Sequence, residues 1–409
     1  MSSNGPLHSQ TQAGKVPVAV DTMGGDQGFE VQVEGAVLAF KEFGVHSILV
    51  GPEENLKAKL EGLGAKSLPL AVCDAPDVIT MDDSPVKAVR RKPNSSLCVA
   101  YNLVHNGLAG SIISSGNSGA MMAAGRLICG LLPGIERPAI ATLIPKVGDG
   151  RPNVIIDSGA NVDCHAQNLV QFAVMGSVYY SSLFEKHQKP RVGLLSNGTE
   201  PSKGTDVIRA ASMFLSKMEL LNYIGYVEGR DVATGAADVI VCDGFVGNVM
   251  LKSMEGCVRL LFEQIVHDSR KTARGMLALM LSKRVYRGVF SEKFDYTAHG
   301  GAPLLGLRKL AVVLHGSSGS RAVKNAIRVA DSFARTKMVE KISSVLSHLE
   351  DHMPEMESDM LDAMLAKESE YGIDKMKKMF KRKPGEKEED LECGDEPELT
   401  ETPEELKKA

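Results

Sequence analysis

Val16-Pro17-Val18-Ala19-Val20, then Asp21-Thr22-Met23-Gly24-Gly25-Asp26, then apolar residues at helical spacing from about Phe29 to Phe43: these consecutive stretches read as strand, loop and helix. The pattern returns at Ser47–Val50, followed by Gly51-Pro52 and a helix from Glu53, and Leu68–Val72 supplies another short strand. A helical stretch from Asp82 to Gly107, broken near Pro93, comes next. Further strand candidates are Ser111–Ile113, Ala139–Ile144, Val154–Ile156, Val192–Leu195, Tyr223–Val227, Asp238–Cys242 and Ala311–Leu314, with helix-like intervals between most of them. Such alternation predicts an α/β fold, a doubly wound, largely parallel sheet in an α/β/α sandwich. Two long helical runs, Val246 to about Arg287 and Ser320 to about His352, depart from the alternation, and the projecting helices are expected at about 246–290.

The strands stop at loops of small and polar residues: Asp21–Asp26, Ser114–Gly119, Asp157–Asn161, Ser196–Gly204, Asp243–Asn248 and His315–Ser318. In an open parallel sheet such loops gather at one edge, where strand ends and helix starts point backbone N–H groups into a common crevice. Ser114–Gly119 reads either as an anion loop, with Asn117 and Ser118 as donors, or as an ordinary capped turn before a helix over Ala120–Leu131. Lys203 is the cation of its loop and sits just before a helix, where a positive charge is disfavoured unless an anion offsets it. Asp157 and Asp243 read equally well as turn or helix caps, and the histidines of His299–Ala302 and His315–Ser318 as structural groups.

Hydrophobic residues make up 43% of the 409, enough to fill a large core, and no apolar stretch approaches the roughly 20 residues of a membrane span. Residues 16–352 read as a single α/β/α domain, residues 1–15 as a disordered leader, 353–383 as a helical, basic extension and 384–409 as an acidic disordered tail. That tail carries eleven acidic and three basic residues, so the chain's net charge of −4 hides a mildly basic body. The seven cysteines form no C-x-x-C pair and read mostly as small core hydrophobes in a reduced, cytoplasmic setting. No dinucleotide fingerprint, P-loop, nucleophile elbow or metal-like cluster is present, and neither a cofactor nor nucleic acid is expected.

Taken together, Ala19–Asp26, Val89–Ser96, Ser114–Ala120, Asp157–Asp163, Gly193–Gly204, Asp238–Lys252 and His315–Ser318 resemble the bacterial phosphate acyltransferase family of phospholipid synthesis, over about residues 16–345. The resemblance implies an architecture like that of phosphotransacetylases and isocitrate dehydrogenases. It implies transfer of a long-chain acyl group from acyl carrier protein to inorganic phosphate, by a homodimer at the membrane surface that supplies a downstream glycerol-3-phosphate acyltransferase. Phosphate is anionic at neutral pH, so its attack on a thioester needs positioning and oxyanion stabilisation rather than a covalent nucleophile.

On this reading Asn117, Ser118, Gly119, Asn161, Lys203 and Gly204 hold phosphate, Asn248 orients the thioester, and Asp243 or His315 positions donors or handles a proton. An acidic carrier calls for a basic face, for which Arg90, Arg91 and Lys92 and the group Arg274, Lys283 and Arg284 are candidates. Between them Leu277 and Leu281 belong to an apolar helical segment that reads as a dimer helix or as a shallow lipid contact. A phosphotransacetylase acting on small acyl-CoA, a nicotinamide-dependent dehydrogenase and a non-catalytic membrane scaffold are the rival readings.

Overall fold

Residues 16–148, 150–184, 189–282, 284 and 300–350 are described by the computed structural model. The leader, the basic extension, the acidic tail, Lys283 and most of the segment beyond Leu281 in the expected projecting helices lie outside the described residues.

The opening unit is strand β1 (Val18–Asp21), buried throughout, and helix α1 (Phe29–Phe43). Gly44 ends α1 in the left-handed conformation at φ 65°, its N–H closing on the Phe40 carbonyl, which any side chain would disfavour. Next come β2 (Ser47–Gly51), α2 (Glu53–Gly62), β3 (Leu70–Asp74), α3 (Pro85–Arg91) and α4 (Ser96–His105). The predicted break near Pro93 thus separates α3 from α4. Strand β4 (Ser111–Ser114) leads into α5 (Ser118–Ala124), which continues as a π-helical turn over Gly125–Cys129. The rest of the chain supplies β5 (Ala139–Ile144), β6 (Asn153–Ile156), α6 (Ala166–Leu183), β7 (Arg191–Leu195), α7 (Asp206–Lys217), β8 (Asn222–Val227), β9 (Val239–Val241), α8 (Gly244–Ser269), α9 (Ala273–Leu281), β10 (Ala302–Leu305), β11 (Leu310–Val313), α10 (Ser320–Arg335) and α11 (Met338–Glu350). Among the described residues no helix is long and apolar enough to cross a membrane.

The strands form one sheet in the order β3-β2-β1-β4-β11-β10-β5-β6-β9-β7-β8. Its amino half, β3 to β11, is parallel, and so is its carboxyl half, β6 to β8. Between them β10 runs antiparallel to β11 and β5, and β5 antiparallel to β6. The two halves therefore run in opposite directions. This corrects the expectation that all the loops gather at one edge: the carboxyl ends of the halves lie at opposite edges.

Because β10 opposes both its neighbours, β11 and β5 run the same way, and the net reversal falls between β5 and β6. Strand β10, Ala302-Pro303-Leu304-Leu305, is short and carries a proline, a residue that argues against a central strand. Here the ladder with β5 begins only at Leu304, one residue past the proline. On one side of the amino half, Ala19, Ile48, Ile112 and Ala311 share a core with α4 and α5 side chains such as Tyr101 and Met121. Helices α1 and α10 pack on each other and against β1, completing the sandwich.

Candidate active site

Two buried aspartates fix the loops that reach the site. Asp21, at the end of β1, accepts hydrogen bonds from Ser96 Oγ and Ser114 Oγ, each at 2.6 Å, and from the Met23 amide at 3.3 Å. Burial pushes its carboxyl up, and these hydrogen bonds pull it back down in part. Asp157, after β6, accepts from the Ile140, Gly159, Ala160 and Asn161 amides and from Asn161 Nδ2, at 2.7–3.1 Å. Burial again pushes the carboxyl up, yet every one of these donors is an N–H group that only an oxygen can satisfy.

Helix α8 starts on the Asp157 loop because two glycines let it. A Cβ at Gly247 would lie 1.9 Å from the Asp157 carbonyl oxygen, and one at Gly244 would lie 2.6 Å from the Asn161 nitrogen. Asp243 caps the helix by accepting from the Val246 amide at 2.8 Å. The next turns bring Asn248 beside Gly159, and Lys252 one turn further on the same face.

A cavity of about 800 Å³ lies against this face. Asp26, Gly116, Ser118, His315 and Gly316 reach it from the amino half, and Ser158, Asn248 and Lys252 from the carboxyl half. Its floor is β5 through Ile140, Thr142, Leu143 and Ile144, and its far wall is α8 through Leu251, Met254, Val258 and Phe262, with Glu255 and Arg259 beside them. The loops thus meet over a sheet face, where the direction of the strands reverses, rather than along one edge.

Lys252 Nζ stands 3.1 Å from His315 Nε2 and 3.1 Å from Glu255 Oε2. The His315 Nε2 faces the ammonium, while Nδ1 accepts from the Ser317 amide at 3.2 Å and lies 2.8 Å from Ser317 Oγ. Ser158 Oγ and Thr142 Oγ1, 2.6 Å apart, form a hydroxyl pair on the floor. Burial pushes the Cys129 thiol up to about 11 and the Cys164 thiol up to about 12, so neither supplies a thiolate at neutral pH.

Of the expected site residues, Ser118, Asn248 and His315 line the cavity. Asn117 caps α5 through the Ala120 amide at 3.0 Å and spends its Nδ2 on the Thr80, Met81 and Asp83 carbonyls. Asn161 is buried and bonded to the Pro138 carbonyl and Asp157, and Gly119 packs towards Pro85. Lys203 and Gly204 lie on the loop after β7, which pairs with β9, so that loop neighbours the one carrying Asp243. Neither residue lines the cavity. Lys252, Glu255, Arg259, Ser158, Thr142 and Asp26 are the charged and hydroxyl wall residues missing from the sequence-based set, and Lys252 had a signal, since it stands at helical spacing from Asn248.

Arg90 and Arg91 are exposed, whereas Lys92 turns to Asp83 at 2.6 Å and the Val78 carbonyl at 2.9 Å. On α9, Leu277 is 53% and Leu281 75% exposed, with Arg274 exposed at its start and Arg284 just beyond its end.

A family model described as "Fatty acid synthesis protein" matches residues 16–341. A phosphate acyltransferase of Geotalea daltonii is 45% identical over 329 residues, covering 80% of this chain and 94% of that one. The chain belongs to the phosphate acyltransferase family. Other members of the family include those of Syntrophotalea carbinolica, 42% identical over 85% of this chain and 98% of that protein, and Clostridium acetobutylicum, 42% identical over 81% and 99%. Among solved structures, a phosphotransacetylase of Streptococcus pyogenes superposes with a TM-score of 0.53 at 17% identity, over 80% of this chain and 97% of that one. That likeness establishes the shared fold. As a family member the chain is an acyltransferase of fatty acid and phospholipid synthesis.

Proposed function

We propose that the protein transfers a long-chain acyl group from acyl carrier protein to inorganic phosphate. The observation that carries this reading is the continuity, within one cavity, of a polar cluster at Ser118, Asn248, Lys252 and His315 with an apolar floor and wall. A phosphate oxygen attacks the thioester carbonyl carbon, forming a C–O bond and a tetrahedral oxyanion. The oxyanion collapses with cleavage of the C–S bond, and the thiolate leaves with a proton. Lys252 offsets the negative charge, Asn248 and Ser118 donate to phosphate or oxyanion, and His315, held by Ser317, lies where a proton must be relayed. Asn117, Gly119, Asn161 and Asp243 act by fixing the loops and the start of α8. Lys203, exposed on the neighbouring loop, draws phosphate towards the site with Gly204 beside it.

Arg90 and Arg91 on α3, and Arg274 and Arg284 flanking α9, suit an acidic carrier. The exposed Leu277 and Leu281 suit a second copy of the chain or the surface of an anionic membrane, from which acyl phosphate passes to a glycerol-3-phosphate acyltransferase. Incubating the full chain with palmitoyl-carrier protein and phosphate should yield acyl phosphate, whereas acetyl-CoA should be a poor donor. Efficient turnover of acetyl-CoA alone would favour a phosphotransacetylase, and no turnover of either would defeat the reading. Vesicle flotation of Leu277→Glu and Leu281→Glu tests the membrane contact, which unchanged binding would remove.

A further inference from the structure

Helix α8 carries two different apolar faces. Val246, Val249 and Leu260 look to solvent, 41%, 50% and 64% exposed. Leu251, Met254, Val258 and Phe262 look into the cavity, continuing along the helix from the polar pair Asn248 and Lys252. Opposite them stand Ile140, Leu143 and Ile144 of β5, with Thr142 among them.

We infer that this arm of the cavity is the acyl-chain slot and that Val258 and Phe262, at its far end, set the length of chain accepted. The inference rests on the acyl-transfer reading above. A thioester carbonyl held at Lys252 sends its chain along the helix towards position 262, about 15 Å away at ~1.5 Å per residue. A lipid tail occupies about half of the ~30 Å hydrocarbon core of a bilayer, which is the same length. A chain reaching Phe262 fills the slot, a shorter one leaves its end empty, and a longer one meets the ring. Each methylene buried there adds to transition-state binding only while wall remains to receive it. An acetyl group touches none of this wall, so the slot also gives a physical reason for rejecting a small donor.

The test is a chain-length series, octanoyl, lauroyl, palmitoyl and stearoyl donors, with wild type, Val258→Phe and Phe262→Ala. Filling the slot in Val258→Phe should lower kcat/KM for palmitoyl by about tenfold or more while octanoyl changes about twofold or less. Phe262→Ala should raise stearoyl relative to palmitoyl several-fold. Continued octanoyl turnover shows that Val258→Phe folds. Equal losses on all chains, or an unchanged profile in both variants, would overturn the slot while leaving the acyl-transfer reading intact. If wild type makes no acyl phosphate from any donor, that reading fails instead, and the slot is then judged by binding. The fluorescent fatty acid parinaric acid should bind the wild-type chain and bind Val258→Phe at least about tenfold more weakly; equal affinities would refute the slot.

Discussion

The amino and carboxyl halves of the sheet solve the same problem with different donors. Each ends a strand in a buried aspartate that ties down a loop reaching the cavity, Asp21 in one and Asp157 in the other. Asp21 relies mainly on the Ser96 and Ser114 hydroxyls, which can reverse their role as donor or acceptor. Asp157 is surrounded by N–H groups, which cannot. The amino half is thereby fixed by an adaptable network and the carboxyl half by a rigid one. It is the rigid half that carries α8, with Asn248 and Lys252 upon it. A helix seated by two glycines within contact distance of a backbone carbonyl needs a loop that does not move.

The sharpest way to break this comparison is at Lys252. If the carboxyl half supplies the charge-stabilising group, Lys252→Ala should lower kcat by about 100- to 1,000-fold, corresponding to ~3–4 kcal/mol, with little change in Tm. A loss below about threefold would move the chemistry to the other half. Asp157→Asn should cost about 3 kcal/mol in urea unfolding, because its amide cannot accept on both sides, while Asp21→Asn should cost about 1 kcal/mol. Equal costs in the two variants would show that the donor types do not matter. Lys203→Ala should raise KM for phosphate a few-fold at nearly constant kcat, as expected of a cation that gathers substrate from outside the cavity. A fall in kcat matching that of Lys252→Ala would instead put Lys203 at the reacting atoms.

The smallest effect concerns acid stability in the carboxyl half. Burial pushes the Asp238 carboxyl up, but hydrogen bonds from Arg191, with Nε at 3.1 Å and Nη2 at 3.0 Å, outweigh this and hold it below the ordinary carboxylate value. A lowered folded-state value adds stability that is present above the unfolded value and is lost as pH falls through the carboxylate range towards the folded one. Arg191→Met should therefore be less stable at neutral pH and lose less on acidification. Parallel stability curves for the two proteins would remove the ion pair from the account.

The opening strand, loop and helix were legible because burial imposes a period on the residues: β1 is wholly buried, and α1 spans the Phe29–Phe43 stretch read from its spacing. The break at Pro93 and the long helix after Asp243 were legible for similar reasons. Strand β10 was not, since its few residues include Pro303 and no alternation can be read from them. The loops at Asp157 and Asp243 were found, but whether their acids serve a ligand or the backbone depends on which amides lie nearby. Asn117 and Asn161 likewise carry the right chemistry for phosphate, and their hydrogen bonds are spent on carbonyls and caps. Lys252 was not legible because a lysine inside a long helix has the pattern of solvated surface, and its neighbour His315 is distant in the chain.

Local order along the chain determined the elements and their class, because propensity, capping and hydrophobic period act over a few residues, and the loop motifs carried the resemblance to the family. The tertiary structure decided that two parallel halves oppose each other across β10 and β5. It also decided that their loops meet over a sheet face and that one side of α8 lines the cavity beside them. Those outcomes depend on strand direction and on contacts between residues far apart in the chain, which no local pattern encodes.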